Sequence, residues 1–390
     1  MTEHKTRVVV IGGGYAGVIA ANHLLLRPGV DVTLINPRPR FVERIRLHQL
    51  VTGSDDAVVE FAEILGPGIA LVTDSATRID TATRQVHVRD GGPLAYDFAI
   101  YAVGSESGTP TVPGAGEFAY PITGLEEAER LRTALGKAPG DAPVCVVGAG
   151  PTGIETAAEL AEQGRAVTLV CGRILGPYLS GGGRRSAARR LRTLGVGIVE
   201  GPGSTVVAVT PGGVTLADGR RLLSAVTIWT AGFGVPDLAS RSGLRTDTIG
   251  RLLTDETLTS IDDERVVAAG DAAAPSGRPL RMSCQAAIPL GAQAANTVLA
   301  RIDGAPPAVI NQAFTGECIS LGRGAGIIQL SRRDDRALPL YLGGRAAATV
   351  KEAVCRSTVS TLRREARKPG SVFWLKGGRR GAAATVPVLR

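Results

Sequence analysis

Two segments of this 390-residue chain share one pattern: VVVIGGGYAGVIAANHL begins at Val8 and VCVVGAGPTGIETAAEL begins at Val144. Each reads as a buried, largely β-branched strand, then a glycine turn, then an alanine-rich helix. Gly12, Gly14 and Gly17 give the spacing G-x-G-x-x-G, and Gly148, Gly150 and Gly153 repeat it. In such a turn the first glycine allows the tight reversal and the second lets a pyrophosphate approach the backbone. The third lets helix and strand pack closely, and the helix N-terminus then faces the phosphates. A single match can be an ordinary strand end. Here the flanking strand and helix supply the context that marks a dinucleotide site.

Two such sites imply two dinucleotides, and the pairing that puts both to use is a flavin with a nicotinamide, exchanging hydride. The expected fold class is α/β, with two Rossmann-like dinucleotide-binding domains, the second inserted in the first, and a C-terminal cap segment. YDFAIYAVG is a strand ending at Gly104, and TPTVPGAGEF is a Pro/Gly hinge. SAVTIWTAGFGVPDL closes the second unit. VVAAGDAAAP is a strand ending in Gly270-Asp271, followed by a helix from about Gln285. The predicted bounds are 1–112 for the first part of an FAD-binding domain, 113–250 for an NAD(P)H-binding domain, 251–303 for the return to the first, and 304–390 for the cap with a basic tail.

Composition narrows the setting. Hydrophobic residues make up 44% of the chain, which suits a globular protein. The cysteines number five and contain no C-x-x-C, so neither a disulfide framework nor a zinc site is expected, and no other metal site suggests itself. Those isolated thiols fit a reducing cytoplasm. The N-terminal apolar run is broken by three glycines and reads as a Rossmann strand rather than a signal peptide. No apolar stretch is long enough to span a bilayer.

The net charge is +8, and the segment from Lys351 to Arg390, with ten Lys/Arg against two Asp/Glu, carries an equal excess. No aromatic platform or known DNA motif accompanies it, so nucleic acid is not an expected partner. An anionic membrane surface, at the inner face of the cell membrane, suits such a tail better. Phe373, Trp374 and Leu375 within it read either as an interfacial anchor or as a cap or homodimer contact. The shortness of that apolar face favours packing on the body.

The two glycine turns, the strand ending near Gly104, TIWTAGF and VVAAGDAA occur in an order that resembles the two-dinucleotide-binding-domain flavoproteins. Within them, GAGPTGIETAAEL, IWTAGF and ISLGRGAGIIQL most resemble the type II NADH:quinone dehydrogenases and their apoptosis-inducing-factor-like relatives. The resemblance implies FAD on the first turn, with Gly12, Gly14, Tyr15, Ala16 and Gly17, and with Gly104, Gly270 and Asp271 alongside. Asn36 stands where such proteins carry an acidic ribose ligand. Its alternative reading is a solvent-facing turn residue.

The second turn, with Gly148, Gly150, Pro151, Thr152 and Gly153, and Gly232 nearby, is then the site for NADH or NADPH. The next strand ends in Cys171, Gly172 and Arg173, without the carboxylate that repels a 2′-phosphate. Arg173 is accordingly a candidate phosphate ligand. Glu155 is either a helix-dipole residue or, by resemblance, one placed near nicotinamide and flavin. Lys351 is similarly placed near the flavin by resemblance, though a surface lysine needs no role.

No cysteine lies between Asn36 and Gly53, where related disulfide reductases and peroxidases carry theirs. Reduced flavin is therefore expected to pass electrons directly to an acceptor. The resemblance suggests a quinone or other small aromatic molecule. Gln285 survives from a quinone-side motif whose later glutamines are replaced by Pro289 and Leu290. Arg44, Arg46 and His48 either line the flavin, bind its phosphates or pair with Glu43, and His48 is a candidate proton donor. Two other readings stand beside this one: an NAD(P)H-dependent ferredoxin-type reductase feeding a protein partner, and a non-catalytic flavin redox sensor.

Overall fold

The computed structural model describes residues 5–108 and 110–378. The chain opens with β1 (Thr6–Ile11), α1 (Tyr15–Leu24), β2 (Val30–Asn36), α2 (Leu47–Thr52), β3 (Ala70–Thr73) and β4 (Phe98–Tyr101). A second unit follows, built from β5 (Ala119–Pro121), α3 (Leu125–Lys137), β6 (Val144–Val147), α4 (Pro151–Glu162), β7 (Val167–Gly172), α5 (Gly181–Thr193), β8 (Gly197–Glu200) and β9 (Val226–Trp229). Then come β10 (Val266–Ala268) and α6 (Cys284–Ile302). The chain ends in a three-stranded meander, β11 (Gly316–Ser320), β12 (Gly326–Ser331) and β13 (Ala337–Gly343), and a long helix, α7 (Gly344–Arg367).

The α/β architecture expected from the sequence is present. Strands order as β10-β4-β1-β2-β3 in one five-stranded sheet and as β5-β9-β6-β7-β8 in another. Every pairing within both sheets is parallel, with Val8 opposite Val32 and Val144 opposite Val167. Parallel sheets are covered on both faces, which explains why their strands read as unbroken apolar runs rather than alternating ones. Strand β10 pairs with β4, so the chain leaves the first sheet, builds the second and returns.

Helix α1 is buried at every one of its ten residues, and it is gripped from two sides by glycines. A Cβ on Gly17 would stand 1.8 Å from the Gly12 carbonyl oxygen, and one on Gly291 of α6 would stand 2.3 Å from the Ala16 carbonyl oxygen. Gly270 also presses on Ala16, where a Cβ would come within 2.9 Å of the alanine methyl. These contacts fix α1, and hence the turn before it, against β1 and α6.

Helix α7 is tied back to α1. The His23 imidazole Nδ1 lies 2.7 Å from Glu365 Oε1, and its Nε2 lies 3.2 Å from Asn296 Oδ1 on α6. Glu365 also accepts from the Gly370 and Val372 backbone N–H groups and from the Ser371 hydroxyl. The apolar trio that follows does not pack as one unit, which corrects the expectation. Trp374 donates its indole N–H to the Asn311 carbonyl and packs on the core, while Phe373 is 79% exposed and Leu375 also faces out.

The basic tail is likewise less free than its composition implied. Lys351 pairs with Glu155, Arg356 with Glu352, and Arg363 with Glu63. Arg379, Arg380 and Arg390 lie outside the described residues. Among the described residues no helix is long and apolar enough to cross a membrane.

Gly291→Ala should therefore destabilise the protein by about 1–3 kcal/mol through overpacking of the α1–α6 seam. Urea denaturation of the variant beside wild type measures this as a lowered midpoint at unchanged slope.

Candidate active site

The two glycine turns repeat one geometry. In each, the outer glycines are forced by the protein itself. A Cβ on Gly12 would meet the Ala102 carbonyl oxygen at 2.3 Å, and one on Gly148 would meet the Thr230 hydroxyl at 2.5 Å. A Cβ on Gly153 would stand 1.9 Å from the Gly148 carbonyl oxygen. The middle glycines differ. Gly14 has φ −80° and ψ −170°, Gly150 has φ −73° and ψ 178°, and neither has any atom within 4 Å of its would-be Cβ. Any residue tolerates that backbone, and nothing in the chain fills that space. What remains to require glycine is close approach by a bound molecule. Both residues N-cap their helices without a side-chain hydrogen bond, so the first helical N–H groups are available to an anion.

Around the first turn, Gly104 and Gly270 end β4 and β10 with φ of +74° and +70°, which turns both loops toward the same edge of the sheet. There Arg44 donates to the Thr123 carbonyl at 3.0 Å and to the Ser105 hydroxyl at 2.9 Å. Ser105 donates to Asp271 Oδ2 at 2.7 Å, and Arg44 stands 3.9 Å from the same oxygen. Arg44, Gly104 and Asp271, far apart in sequence, thus form one rim. Tyr15 meets the Phe41 ring edge-on at 5.0 Å.

Asn36 departs from expectation. It is buried rather than solvent-facing; its Oδ1 accepts from the Gly13 N–H at 2.9 Å, and its Nδ2 donates to the Arg38 carbonyl at 2.7 Å. Its amide braces the glycine turn. Arg46 is also engaged structurally, held by Glu43 at 3.3 Å, Asp55 at 3.4 Å and Glu352 at 3.0 Å.

At the second turn, Pro151 occupies the first turn of α4, where its missing N–H costs nothing. Thr152 accepts from the Thr156 hydroxyl through its carbonyl. Thr230 caps the glycine turn from β9 by donating to the Val147 carbonyl, and Gly232, at φ +82°, turns the chain beyond it. Arg173 is exposed just past β7 and free to meet a ligand. A carboxylate nonetheless lies beside that strand end. Glu200 ends β8 beside Gly172 and accepts from the Leu175 N–H at 2.8 Å. The sequence reading missed Glu200 because the pairing of β7 with β8 brings it there.

Between the two units sits a buried cluster. Lys351 Nζ of α7 lies 2.9 Å from Glu155 Oε1 of α4, and the Ser320 N–H of β11 donates to the same oxygen at 2.9 Å. His48 of α2 places Nδ1 3.7 Å from Glu155 Oε2 and Nε2 3.5 Å from Glu159 Oε1. Burial pushes the Glu155 carboxyl up, but chiefly Lys351, with the Ser320 N–H, outweighs it and holds it below the usual glutamate value. Burial pulls Lys351 down, and Glu155 more than reverses this. For His48 burial wins over both carboxylates and lowers its pKa.

The imidazole is enclosed, and its burial favours the neutral form. Glu159 went unnoticed in the sequence. Its spacing of four from Glu155 on one helix was the available signal, because that spacing puts both on one face.

At the start of α6, the Gln285 carboxamide meets the Thr315 hydroxyl at 2.6 Å. Pro289 and Leu290, which replace the later glutamines of that motif, are buried within α6. All five cysteines are free. Burial raises the Cys145 and Cys171 thiols to about 12 and Cys355 to about 11, and raises Cys284 and Cys318 as well. Protonated thiols are poor nucleophiles and poor redox partners.

Residues 6–291 match the pyridine nucleotide-disulphide oxidoreductase family. A NADH dehydrogenase-like protein of Mycobacterium tuberculosis is 35% identical over 322 residues, covering 75% of this chain and 80% of its own. A type II NADH:quinone oxidoreductase of the same organism is 30% identical over 354 residues, covering 78% and 74%. Among solved structures, the sulfide:quinone oxidoreductase of Aquifex aeolicus superposes with a TM-score of 0.79 at 19% identity, over 94% of this chain and 93% of that one. NDH2 of Plasmodium falciparum, solved with NADH, gives 0.77 at 16% identity, over 95% and 99%. At these identities the two structures speak to the fold.

Lys351→Met should cost about 3–5 kcal/mol at pH 7, because it strands a buried carboxylate. Glu155→Gln in the same chain should recover part of the loss. The stabilisation of a carboxyl with a lowered folded pKa is present above its unfolded value and lost as pH falls through the folded one. The gap between Lys351→Met and wild type should therefore narrow as urea denaturation is repeated below about pH 4.5.

Proposed function

This chain belongs to the pyridine nucleotide-disulphide oxidoreductase family and is an oxidoreductase, and from that premise we propose that it uses FAD to carry electrons from NADH or NADPH to a quinone or another small aromatic acceptor. The observation that carries the reading is the pair of middle glycines. Gly14 and Gly150 are required by neither backbone conformation nor internal packing, and each stands before an uncapped helix N-terminus. That is the cradle a pyrophosphate needs, and it occurs twice.

FAD, when bound, would supply the two-electron chemistry that protein side chains lack. The chain's own residues position and exclude. The Gly12–Gly17 turn would hold the FAD pyrophosphate, with Asp271 and Arg44 on the adjoining rim. The Gly148–Gly153 turn would hold the nicotinamide dinucleotide, with Arg173 and Glu200 opposing each other in the choice between a 2′-phosphate and a 2′-hydroxyl. Glu155 and Lys351 would set the charge where the two units meet. With its five thiols unpaired and their pKa values raised, electron transfer to the acceptor would be direct. The acceptor assignment leans on the quinone oxidoreductase relatives and on Gln285.

Two conservative changes test this. Gly14→Ala should fold normally, because its Cβ meets no protein atom, yet lose most of its flavin absorbance. Gly150→Ala should keep the flavin and weaken NADH at least about tenfold, or 1.4 kcal/mol, in anaerobic stopped-flow reduction. Wild type reduced by NADH should be reoxidised by a soluble quinone. Full flavin in Gly14→Ala, or a reduced wild type that no quinone reoxidises, would overturn the reading.

A further inference from the structure

Reduction of a quinone by NAD(P)H consumes one proton from water per turnover. The hydride carries two electrons and one proton, while quinol formation takes up two electrons and two protons. Under the functional reading above, that second proton must reach the acceptor from solvent. We propose that Glu159 and His48 form the intake, passing a solvent proton to the Glu155–Lys351 pair and so to the reduced acceptor.

The geometry is a line that runs from surface to centre. Glu159 Oε2 accepts from the Thr52 hydroxyl at 2.9 Å and lies 3.5 Å from the hydroxyl of Ser54, which is exposed. Glu159 Oε1 lies 3.5 Å from His48 Nε2, His48 Nδ1 lies 3.7 Å from Glu155 Oε2, and Glu155 Oε1 lies 2.9 Å from Lys351 Nζ. Two of these separations exceed a hydrogen bond, and both flank the imidazole. His48 Nε2 and Glu159 Oε1 are buried with no hydrogen-bond partner.

Unmet polar atoms of this kind cost about 1–3 kcal/mol each, and a cluster present only for stability would close the gap. The imidazole therefore stands between two carboxylates, within reach of each but bonded to neither. The charged groups facing His48 are Glu155 and Glu159 on α4, Lys351 on α7 and Arg323 in the β11–β12 turn, whose Nη1 is 3.6 Å from Glu159 Oε1.

The transfer balances. Water protonates Glu159. The Glu159 O–H bond breaks as a bond to His48 Nε2 forms, and the Nδ1–H bond breaks as Glu155 Oε2 gains its proton. Lys351 gives a proton to the negatively charged oxygen of the reduced acceptor and recovers it from Glu155. The imidazole ends neutral with its tautomer exchanged, and resets by rotation of the ring, which carries the Nε2 proton to the Glu155 side with no proton gained or lost. A neutral histidine with two ring nitrogens aimed at two carboxylates is suited to this, whereas a permanently protonated one is not.

The test variant is Glu159→Gln, which keeps shape and cannot carry a proton. With a soluble quinone its turnover should fall about tenfold or more, with an enlarged solvent isotope effect and a flattened pH profile, while flavin reduction by NADH keeps its wild-type rate. Added imidazole or azide should restore turnover by bringing protons through solution. Nitrogen-15 NMR of the flavin-free chain, which has only four histidines, should show the His48 titration midpoint moving further down. Unchanged turnover, an equal slowing of the reductive half, or an unmoved His48 midpoint overturns the relay while leaving the functional reading intact. A wild type that reduces no quinone overturns both.

Discussion

The Glu155–Lys351 ion pair is the contact on which the arrangement of this protein turns. Glu155 belongs to α4, the helix after the second glycine turn, Lys351 to the C-terminal helix, and the Ser320 N–H on the same carboxylate to the C-terminal meander. One buried carboxylate therefore joins three parts of the chain. Two charges taken out of water are stable only when geometry and extra hydrogen bonds compensate desolvation. Here they do, since Glu155 is held below its usual pKa despite complete enclosure. The pair fixes the seam between the units, and the seam is where a hydride donor and its flavin would have to meet.

A second fixation acts on the far side of α1. His23 and Glu365 join the first dinucleotide helix to the end of α7, and Glu365 also gathers the backbone of Gly370 and Val372. Helix α7 is thus anchored near its start to the second unit and near its end to the first. It works as a brace across the molecule, which explains why several cations of the tail serve internal pairs and are withdrawn from the surface.

The glycine turns show how one device serves two ligands without being copied in detail. The first is closed by Ala102 and braced by the Asn36 amide, the second by the Thr230 hydroxyl. What the two share is the demand of a pyrophosphate for bare backbone. What differs is the local means of satisfying the turn's own N–H and carbonyl groups.

The sequence by itself determined the parallel α/β class, the positions of both turns, the return of the chain to its first sheet and the strand ends at Gly104 and Gly270-Asp271. These follow from local chemistry, because apolar runs and glycine spacings constrain the residues that carry them. His48, Glu155 and Lys351 were also visible as singular residues. Their convergence was not visible, and neither were the parts played by Glu159, Glu200 and Arg323. The bracing of Gly13 by the Asn36 amide was equally invisible. Only the tertiary structure decided these, for one physical reason. Periodicity tells which face of an element is buried, but the partner that face meets is chosen by packing across gaps of up to hundreds of residues, and the charge state of a buried group depends on that partner.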